Sequence, residues 1–358
     1  MKSIGIFGGG QLAKMIMVEG YKMGHTFNVY DSNISACSKP MANEFFNYSF
    51  TDQLKIDSFF NRSDVFTYEF ENVDPTFLEN YKNKIPQGVE ALKLLQDRYT
   101  EKKFINNLPG VKTVKFCLAS ENINIFPCII KTRRNGYDGK GQHFFESKSY
   151  LNNNLLNNNN IVEEYMEGIE EYSLIIGRNL KGEIKSYPPI KNIHKNGILY
   201  ESSFTKNIGD NIKSQMKHKA ENIIDALNYN GVLCVEYFVR GNDIFVNEIA
   251  PRVHNSGHLT IEATNISQFK LHLYCILGLN IPDIECHYDY YMNNILGQNL
   301  KACEYMMQSE EFKNINYHIY GKNSDAINRK VGHITYKNIN NIHEKVNNQL
   351  ANFKSEGI

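Results

Sequence analysis

The first thirty residues combine short apolar runs with a helical pattern. Residues 2–7 form an apolar run of strand length, three glycines follow at 8–10, and residues 11–23 carry apolar positions at helical spacing. A second short run at 26–30 ends at Asp31. This order predicts a β-α-β unit with parallel strands, and therefore an α/β protein.

The rest of the chain continues this mixture, without an internal repeat. Pro109 and Gly110 interrupt it and predict the start of a new unit. The asparagine-rich stretch at 152–160 is typical of a surface connection. The other predicted elements are strands at 65–70, 128–132 and 172–176, helices at 91–108, 215–227 and 267–277, and a β-hairpin over 231–250.

Composition narrows the class of protein. A chain of 358 residues is long enough for two or three domains. Lysine plus arginine equals aspartate plus glutamate, at 39 each, which argues against a nucleic-acid partner. We expect no signal peptide and no membrane span. The seven cysteines are scattered without C-x-x-C pairs, which is typical of reduced thiols in a cytoplasmic protein.

The glycine turn after the first predicted strand fits G-x-G-x-x-A at residues 8–13, and Asp31 ends the next strand. These are parts of a dinucleotide fingerprint, in which phosphate approaches a helix N-terminus and an acid binds ribose. A tight turn that binds another phosphate, or nothing, explains the same residues. NAD binding therefore stays open on this motif alone.

Residues 131–142 form a basic, glycine-rich segment. Lys131, Arg133, Arg134 and Lys140 supply charge, and three glycines lie within 136–141. Such a segment suits a lid over polyphosphate, and we expect residues 135–142 to order when nucleotide binds. It is not a Walker A loop, because no Ser or Thr follows a Gly-Lys pair. The alternative is a basic surface hairpin.

Two glutamates interrupt the apolar strands of the predicted hairpin. If its turn is the three-residue loop 241–243, position 240 pairs with 244 and Glu236 pairs with Glu248. Like charges in that arrangement are unfavourable unless a cation lies between them, and oxygen ligands favour Mg²⁺. The alternative is a slipped register with both acids on a solvated face.

Two later segments are rich in cations and imidazoles. Residues 247–258 bring Arg252, His254 and His258 into one loop suited to a small anion, without an H-E-x-x-H zinc pattern. Residues 320–333 add Lys322 and Arg329. Each group, taken alone, is also compatible with a structural or solvated role.

Together these segments resemble the 5-(carboxyamino)imidazole ribonucleotide synthases (phosphoribosylaminoimidazole carboxylase ATPase subunits) of the ATP-grasp superfamily. The resemblance runs from residue 4 to about residue 335. The segments that carry it are Gly8-Gly9-Gly10-Gln11-Leu12, Tyr68-Glu69-Phe70-Glu71-Asn72-Val73, Gln96-Asp97-Arg98, Gly136-Tyr137-Asp138-Gly139-Lys140-Gly141-Gln142 and Asn247-Glu248-Ile249-Ala250-Pro251-Arg252-Val253-His254-Asn255-Ser256-Gly257-His258. Departures from the family pattern stand at Ala13, Lys14, Lys191 and Leu259.

The resemblance implies an α/β protein with an ATP-grasp fold and an N-terminal Rossmann-like domain of the biotin carboxylase type. It places an N-terminal substrate-binding domain at 1–95, a small lid domain at 96–167 and a large domain at 168–358, with a C-terminal extension from about 295. The glycine turn of this family faces the ribonucleotide substrate, so the resemblance argues against NAD.

The resemblance also implies an ATP-dependent carbon-nitrogen ligase of purine biosynthesis. Such an enzyme uses ATP, Mg²⁺ and bicarbonate to carboxylate 5-aminoimidazole ribonucleotide, with carboxyphosphate as the intermediate. Its family is often homodimeric, and its pathway neighbour is carboxyaminoimidazole ribonucleotide mutase. Another ATP-grasp ligase, an NAD oxidoreductase and a non-catalytic nucleotide-binding module are the alternatives.

The same resemblance assigns site residues. Arg98, Lys131 and the loop Gly136, Tyr137, Asp138, Gly139, Lys140, Gly141 and Gln142 would hold ATP phosphates. Glu163, Glu164, Tyr165 and Met166 would form the adenine hinge, Glu171 would bind ribose, and His194 and Asn247 would complete the nucleotide site.

The resemblance assigns the other ligands as well. Glu236 and Glu248 would bind Mg²⁺. Arg252, His254 and Asn255 would bind bicarbonate and carboxyphosphate. Tyr137, Asp138, Lys140, Lys322 and Arg329 would bind the ribonucleotide.

Overall fold

The computed structural model describes residues 1–136, 141–204, 207–322 and 327–352, and it confirms the predicted α/β class. Its strands form three sheets. In none of the helices found within those ranges is there an apolar stretch long enough to cross a membrane.

The first sheet is parallel and contains the predicted β-α-β unit. Its strand order is β3-β2-β1-β4, and α1 connects β1 to β2. Leu12, Ile16 and Gly20 of α1 are buried, which places the apolar stripe of this helix against the interior. The elements are β1 Ser3–Phe7, α1 Gln11–Lys22, β2 Thr26–Tyr30, β3 Glu44–Phe46, α2 Gln53–Phe60 and β4 Val65–Tyr68.

The helix predicted as continuous over 91–108 is two helices, so that prediction is wrong. The first, α3 (Val89–Leu95), ends before Asp97, and the second, α4, covers Arg98–Asn106. Asp97 adopts an extended conformation, and its carboxylate accepts hydrogen bonds from the N–H groups of Tyr99 and Thr100 at 3.0 and 3.3 Å. A side chain that caps a helix start in this way competes with continuation of the preceding helix.

The second and third sheets carry most of the remaining chain. The second has the order β5-β8-β6-β7, with β5 Phe116–Leu118, β6 Cys128–Thr132, β7 Gln142–Phe145 and β8 Asn160–Glu164. The third has the order β14-β13-β9-β11-β12-β15-β17-β16, with β10 beside β9. Its strands are β9 Glu170–Arg178, β10 Ile184–Ser186, β11 Ile190–Lys195, β12 Ile198–Phe204, β13 Gly231–Arg240, β14 Asp243–Ala250, β15 Tyr290–Leu296, β16 Asn316–Ile319 and β17 Lys330–Lys337.

Five further α-helices accompany the third sheet in the ranges given above: α5 Asp210–Ala226, α6 Thr260–Ala263, α7 Gln268–Ile276, α8 Leu300–Gln308 and α9 Ile342–Asn352. The helix predicted at 215–227 thus begins earlier, at Asp210, and the last part of the described chain contains α8, β16, β17 and α9. The three sheets fall at 3–68, 116–164 and 170–337. The proposed domain boundaries stay a prediction.

One apolar core joins the first sheet to the third. Ile4 of β1 and Ile16 of α1 lie in the same buried cluster as Ile175 of β9 and Leu273 of α7. The two sheets therefore hold a fixed relation to each other, which matters because the candidate site draws residues from both.

Gly5 offers a test of this packing. A Cβ built on Gly5 would lie 2.3 Å from the ring of Phe66 and 3.1 Å from that of Phe59, both fully buried. We expect Gly5→Ala to lower the free energy of unfolding by about 1–3 kcal/mol through overpacking. Urea denaturation measures this. The control is Gly209→Ala, where a Cβ meets nothing within 4 Å and the expected change is below about 1 kcal/mol; equal losses in both variants would contradict the packing argument.

Candidate active site

The hairpin of β13 and β14 turns through two residues, not the predicted three. Arg240 pairs with Asp243, so Gly241 and Asn242 form the loop, and Gly241 takes a φ of +60°. The predicted pairing of 240 with 244 is therefore wrong. Two-residue loops with glycine first are favoured because their twist matches that of the strands.

A β-bulge nevertheless brings the two glutamates opposite each other. The register shifts after the pair Tyr237 and Val246, Asn247 is the extra residue, and Glu236 pairs with Glu248. The predicted apposition of the two acids is confirmed, by a route that the sequence pattern did not indicate. The side-chain amide of Asn247 donates to Glu236 Oε2 at 3.4 Å.

The two facing carboxylates have the chemistry of a divalent-cation site. Burial raises the pKa of Glu236 to about 7, and the charge of Glu248 acts in the same direction. A hard cation between them would relieve this repulsion. No cluster of three or more His, Cys, Asp or Glu side chains suited to a metal occurs in the described parts of the chain.

Arg98 connects this pair to the basic segment. It is the first residue of α4, and its Nη2 lies 3.3 Å from Glu248 Oε2 and donates to the carbonyl of Gly136 at 3.0 Å. Beyond Gly136, the assigned residues Tyr137, Asp138, Gly139 and Lys140 lie outside the described residues. Gly141 directly precedes β7, and Gln142 is the first residue of this strand and pairs with Lys131.

Lys131 and Glu163 form a buried ion pair between neighbouring strands. Lys131 Nζ of β6 donates to Glu163 Oε2 of β8 at 2.8 Å, and Lys102 Nζ of α4 lies 3.3 Å from the same oxygen. Burial alone raises the pKa of Glu163, but the charges of Lys102 and Lys131 outweigh it and lower the pKa to about 2. This carboxylate is therefore ionised at neutral pH and can orient both lysines.

The residues expected to grip adenine and ribose lie at the end of β8 and on β9 and β11. Met166 is buried, whereas the ring of Tyr165 is partly exposed. This ring packs edge-on against that of Phe144, with 4.9 Å between the two ring centroids. Glu171 of β9 forms an ion pair with His194 of β11. Burial opposes protonation of His194, but the carboxylate of Glu171 prevails and raises the pKa of this histidine. Glu164 ends β8, and its N–H donates to the carbonyl of Lys115 at 2.9 Å.

The loop after β14 carries the three residues expected to bind an anion, Arg252, His254 and Asn255. Arg252 makes a two-point ion pair with Glu71, which follows β4 in the first sheet. His254 Nε2 lies 3.3 Å from Glu236 Oε1. Burial and the charge of Arg252 lower the pKa of His254 well below its usual value, so this ring is neutral. Neither the side-chain nitrogen nor the side-chain oxygen of buried Asn255 has a partner within the described residues.

An amide buried with both polar atoms unpaired is unfavourable in a folded protein, since most such groups are hydrogen-bonded. Asn255 can both donate and accept. Its neighbours Arg252 and His254 complete a set of groups that suits a small oxyanion.

One of the late basic residues, Lys322, reaches back to the first helix. Lys322 Nζ donates to Gln11 Oε1 at the start of α1, at 2.6 Å, and to the carbonyl of Lys330 at 3.3 Å. Burial and the charges of Arg329 and Lys330 lower the pKa of Lys322, while Glu69 opposes them. Arg329 itself is exposed. Lys322 therefore lies beside the glycine turn.

The glycine turn is already occupied by carboxylates. Gly9 N–H donates to Asp31 Oδ2 at 2.6 Å, and Gly10 N–H donates to Glu69 Oε1 at 2.8 Å. A dinucleotide pyrophosphate would need these N–H groups, and Asp31 would need to be free for ribose. This arrangement disfavours NAD binding.

Four site residues were not assigned from the sequence: Glu69, Glu71, Lys102 and Lys330. Glu69 and Glu71 follow β4, at the carboxyl end of a parallel strand, where ligands of α/β sheets bind. That rule, applied to the predicted strand, would have indicated them. Lys102 carried no signal, because a lysine on a helix is usually solvated.

Three family models match this chain. They are the ribonucleotide synthetase preATP-grasp domain over residues 1–96, the ATP-grasp domain over 110–269 and the phosphoribosylaminoimidazole carboxylase C-terminal domain over 291–347. The N5-carboxyaminoimidazole ribonucleotide synthase of Staphylococcus saprophyticus is 36% identical over 367 residues, covering 98% of this chain and 97% of that protein. Its counterpart in Staphylococcus haemolyticus is 35% identical over 370 residues, covering 98% and 96%.

Solved structures of similar proteins superpose over the same extent. The N5-carboxyaminoimidazole synthetase of Staphylococcus aureus with ADP gives a TM-score of 0.91 at 34% identity, covering 98% of this chain and 97% of that one. The Aspergillus clavatus N5-carboxyaminoimidazole synthase with ADP and 5-aminoimidazole ribonucleotide gives 0.86 at 25% identity, covering 98% of each chain.

Proposed function

The chain belongs to the N5-carboxyaminoimidazole ribonucleotide synthase family, and from this premise we propose how its residues carry out an ATP-dependent carboxylation. Family membership confirms the expected ATP-grasp fold with its N-terminal Rossmann-like domain, and the expected ligase activity. The reaction converts 5-aminoimidazole ribonucleotide to its N5-carboxyamino product in purine biosynthesis, using ATP. The oxidoreductase alternative is set aside.

The nucleotide is proposed to bind between the second and third sheets. Lys131 and Arg98 would contact its phosphates, each held in place by a carboxylate, Glu163 and Glu248 respectively. The hinge at 163–166, with Glu171, His194 and Asn247, would enclose the nucleoside. Glu236 and Glu248 would hold Mg²⁺, which when bound offsets the charge of the phosphates.

Bicarbonate is proposed to bind at Arg252, His254 and Asn255. Glu71 fixes the guanidinium of Arg252 through two contacts, so its remaining N–H groups present a defined donor surface. The unpaired amide of Asn255 supports a ligand at this point. Phosphorylation of bicarbonate would give carboxyphosphate, and exclusion of water from these buried groups would protect this anhydride.

The ribonucleotide is proposed to lie between the glycine turn and the late basic residues. Lys322 and Arg329 would bind its phosphate: Lys322 contacts Gln11 at the start of α1, and the charge of Arg329 acts on Lys322. On the family resemblance alone, we also propose a cytoplasmic homodimer whose product passes to carboxyaminoimidazole ribonucleotide mutase.

The function itself is tested by ADP formation with the purified chain. We expect turnover that requires bicarbonate and rises strongly when 5-aminoimidazole ribonucleotide is added, with one carboxylated product per ADP. Formate in place of bicarbonate is the control for another ATP-grasp ligase. Turnover that ignores both bicarbonate and the ribonucleotide would contradict the proposed reaction.

The metal assignment is tested by Glu248→Gln. Loss of one carboxylate should raise the Mg²⁺ concentration for half-maximal nucleotide binding by about 10-fold or more, because an anionic ligand becomes neutral. In the unmodified chain, burial and the charge of Glu248 raise the pKa of Glu236 to about 7, so Mg²⁺ competes with a proton for this carboxylate near neutral pH. Metal affinity should therefore increase as the pH is raised through 7 and decrease as the pH is lowered below 7. Calorimetry at several pH values measures both effects. Exposed Glu121→Gln is the control, and equal metal dependence in both variants would refute the assignment.

The ribonucleotide assignment is tested by Lys322→Ala and Arg329→Ala. Loss of one charge-assisted contact costs about 1.5–3 kcal/mol, or roughly 10- to 150-fold in affinity. We expect the KM for the ribonucleotide to rise by this factor while the KM for ATP stays unchanged. The matched control is Lys313→Ala, an exposed lysine on a turn paired with Glu310. If only the KM for ATP rises, Lys322 and Arg329 belong to the nucleotide site and the ribonucleotide assignment is wrong.

A further inference from the structure

The outer edge of β14 is covered by two consecutive side chains of α4. β14 is the last strand of the third sheet, so its outward backbone groups have no neighbouring strand. Glu101 accepts a hydrogen bond from Ile249 N–H at 2.6 Å, and Lys102 Nζ donates to the carbonyl of Asn247 at 3.0 Å. The two contacts flank Glu248 on either side.

A third contact from the same helix reaches Glu248 itself. Arg98 Nη2 lies 3.3 Å from its Oε2. Arg98, Glu101 and Lys102 stand at positions i, i+3 and i+4 of α4, and therefore on one face of the helix. One helical face thus contacts the bulged strand before, at and after the residue assigned to the metal.

These two side chains are unusual for charged residues because each is only 1% exposed. Burial of charge is costly unless the group is paired. Lys102 is paired with Glu163, 3.3 Å away. Burial and the charge of Glu248 raise the pKa of Glu101, while Lys102 opposes them. Apolar residues at these positions would avoid the desolvation cost, but they would leave the backbone groups of Asn247 and Ile249 without partners.

The bulge needs such support. The two-residue turn by itself would continue the register so that Glu236 faces Asn247, and Glu248 would point to the opposite face. Only the extra residue at Asn247 turns Glu248 toward Glu236. Without a cation, repulsion between the two carboxylates opposes that arrangement. Contacts on the backbone of Asn247 and Ile249 counter this repulsion from outside the sheet.

We propose that Glu101 and Lys102 are positioning residues for the metal pair: they fix the bulge of β14 so that Glu248 faces Glu236. Through its contact with Glu163, Lys102 also links the bulge to Lys131 in the nucleotide pocket. The proposal rests on the metal role proposed above for Glu236 and Glu248.

The test compares Lys102→Met, Glu101→Met and Glu101→Gln by calorimetric titration of ADP at varied Mg²⁺. The two Met variants should raise the Mg²⁺ concentration for half-maximal binding by roughly 10- to 100-fold, the range found for supporting residues of metal ligands. Glu101→Gln keeps an oxygen for Ile249 N–H and should stay within about threefold. The control is Lys103→Met, an exposed lysine on the same helix over the ring of Tyr99.

If Glu101 and Lys102 served only overall stability, the Met variants would unfold at a lower thermal midpoint. The molecules that remain folded would then bind ADP with an unchanged dependence on Mg²⁺. If the Met variants keep that dependence within about twofold while Glu248→Gln shifts it, the positioning proposal is wrong and the metal site stands. If Glu248→Gln causes no shift, the metal site fails and the proposal with it. Failure of both Met variants to fold would assign Glu101 and Lys102 to overall stability and would also overturn the proposal.

Discussion

The apposition of Glu236 and Glu248 is the constraint on which the site depends. Two carboxylates on facing positions of a hairpin repel each other, so the protein must hold them there by other contacts. The bulge at Asn247 sets the register, and α4 supports the bulged strand at its outer edge. The break between α3 and α4 belongs to the same arrangement, because the cap at Asp97 places Arg98 at the start of the helix that faces the pair.

A second requirement is that the first sheet stays fixed against the third. Arg252 follows β14 in the third sheet, yet its guanidinium forms an ion pair with Glu71, which follows β4 in the first sheet. A series of buried polar side chains lies beside this contact. His272 Nε2 is 2.8 Å from Thr67 Oγ1, and this hydroxyl donates to Gln87 Oε1. The side-chain amide of Gln87 in turn donates to the carbonyl of Pro251 at 3.2 Å. Together with the shared apolar core, these bonds set the position of Arg252 relative to the glycine turn.

Sequence patterns predicted the elements well and their junctions less well. The β-α-β opening, the hairpin and the pairing of the two glutamates are all present in the structure. The pairing was predicted from a three-residue turn, however, and two deviations, a shorter turn and a bulge, compensate each other. The helix break escaped prediction because Asp97 lies within an otherwise helical pattern. Lys102 escaped because its partners, Glu163 and the Asn247 carbonyl, are distant in sequence and only the fold brings them together.

The cations assigned to the site are largely paired before any ligand is present. Arg98 contacts Glu248, Lys131 contacts Glu163, Arg252 contacts Glu71, and His194 contacts Glu171. These carboxylates keep the cations oriented and reduce the net positive charge that ATP would meet. A polyanion that meets these four cations finds donors in defined directions, each already compensated by a neighbouring carboxylate. Neutralisation of its phosphates is then favoured by a cation that arrives with it, and the facing carboxylates of Glu236 and Glu248 have the chemistry to hold such a cation. Nucleotide binding and metal binding are for this reason expected to be strongly coupled in this protein.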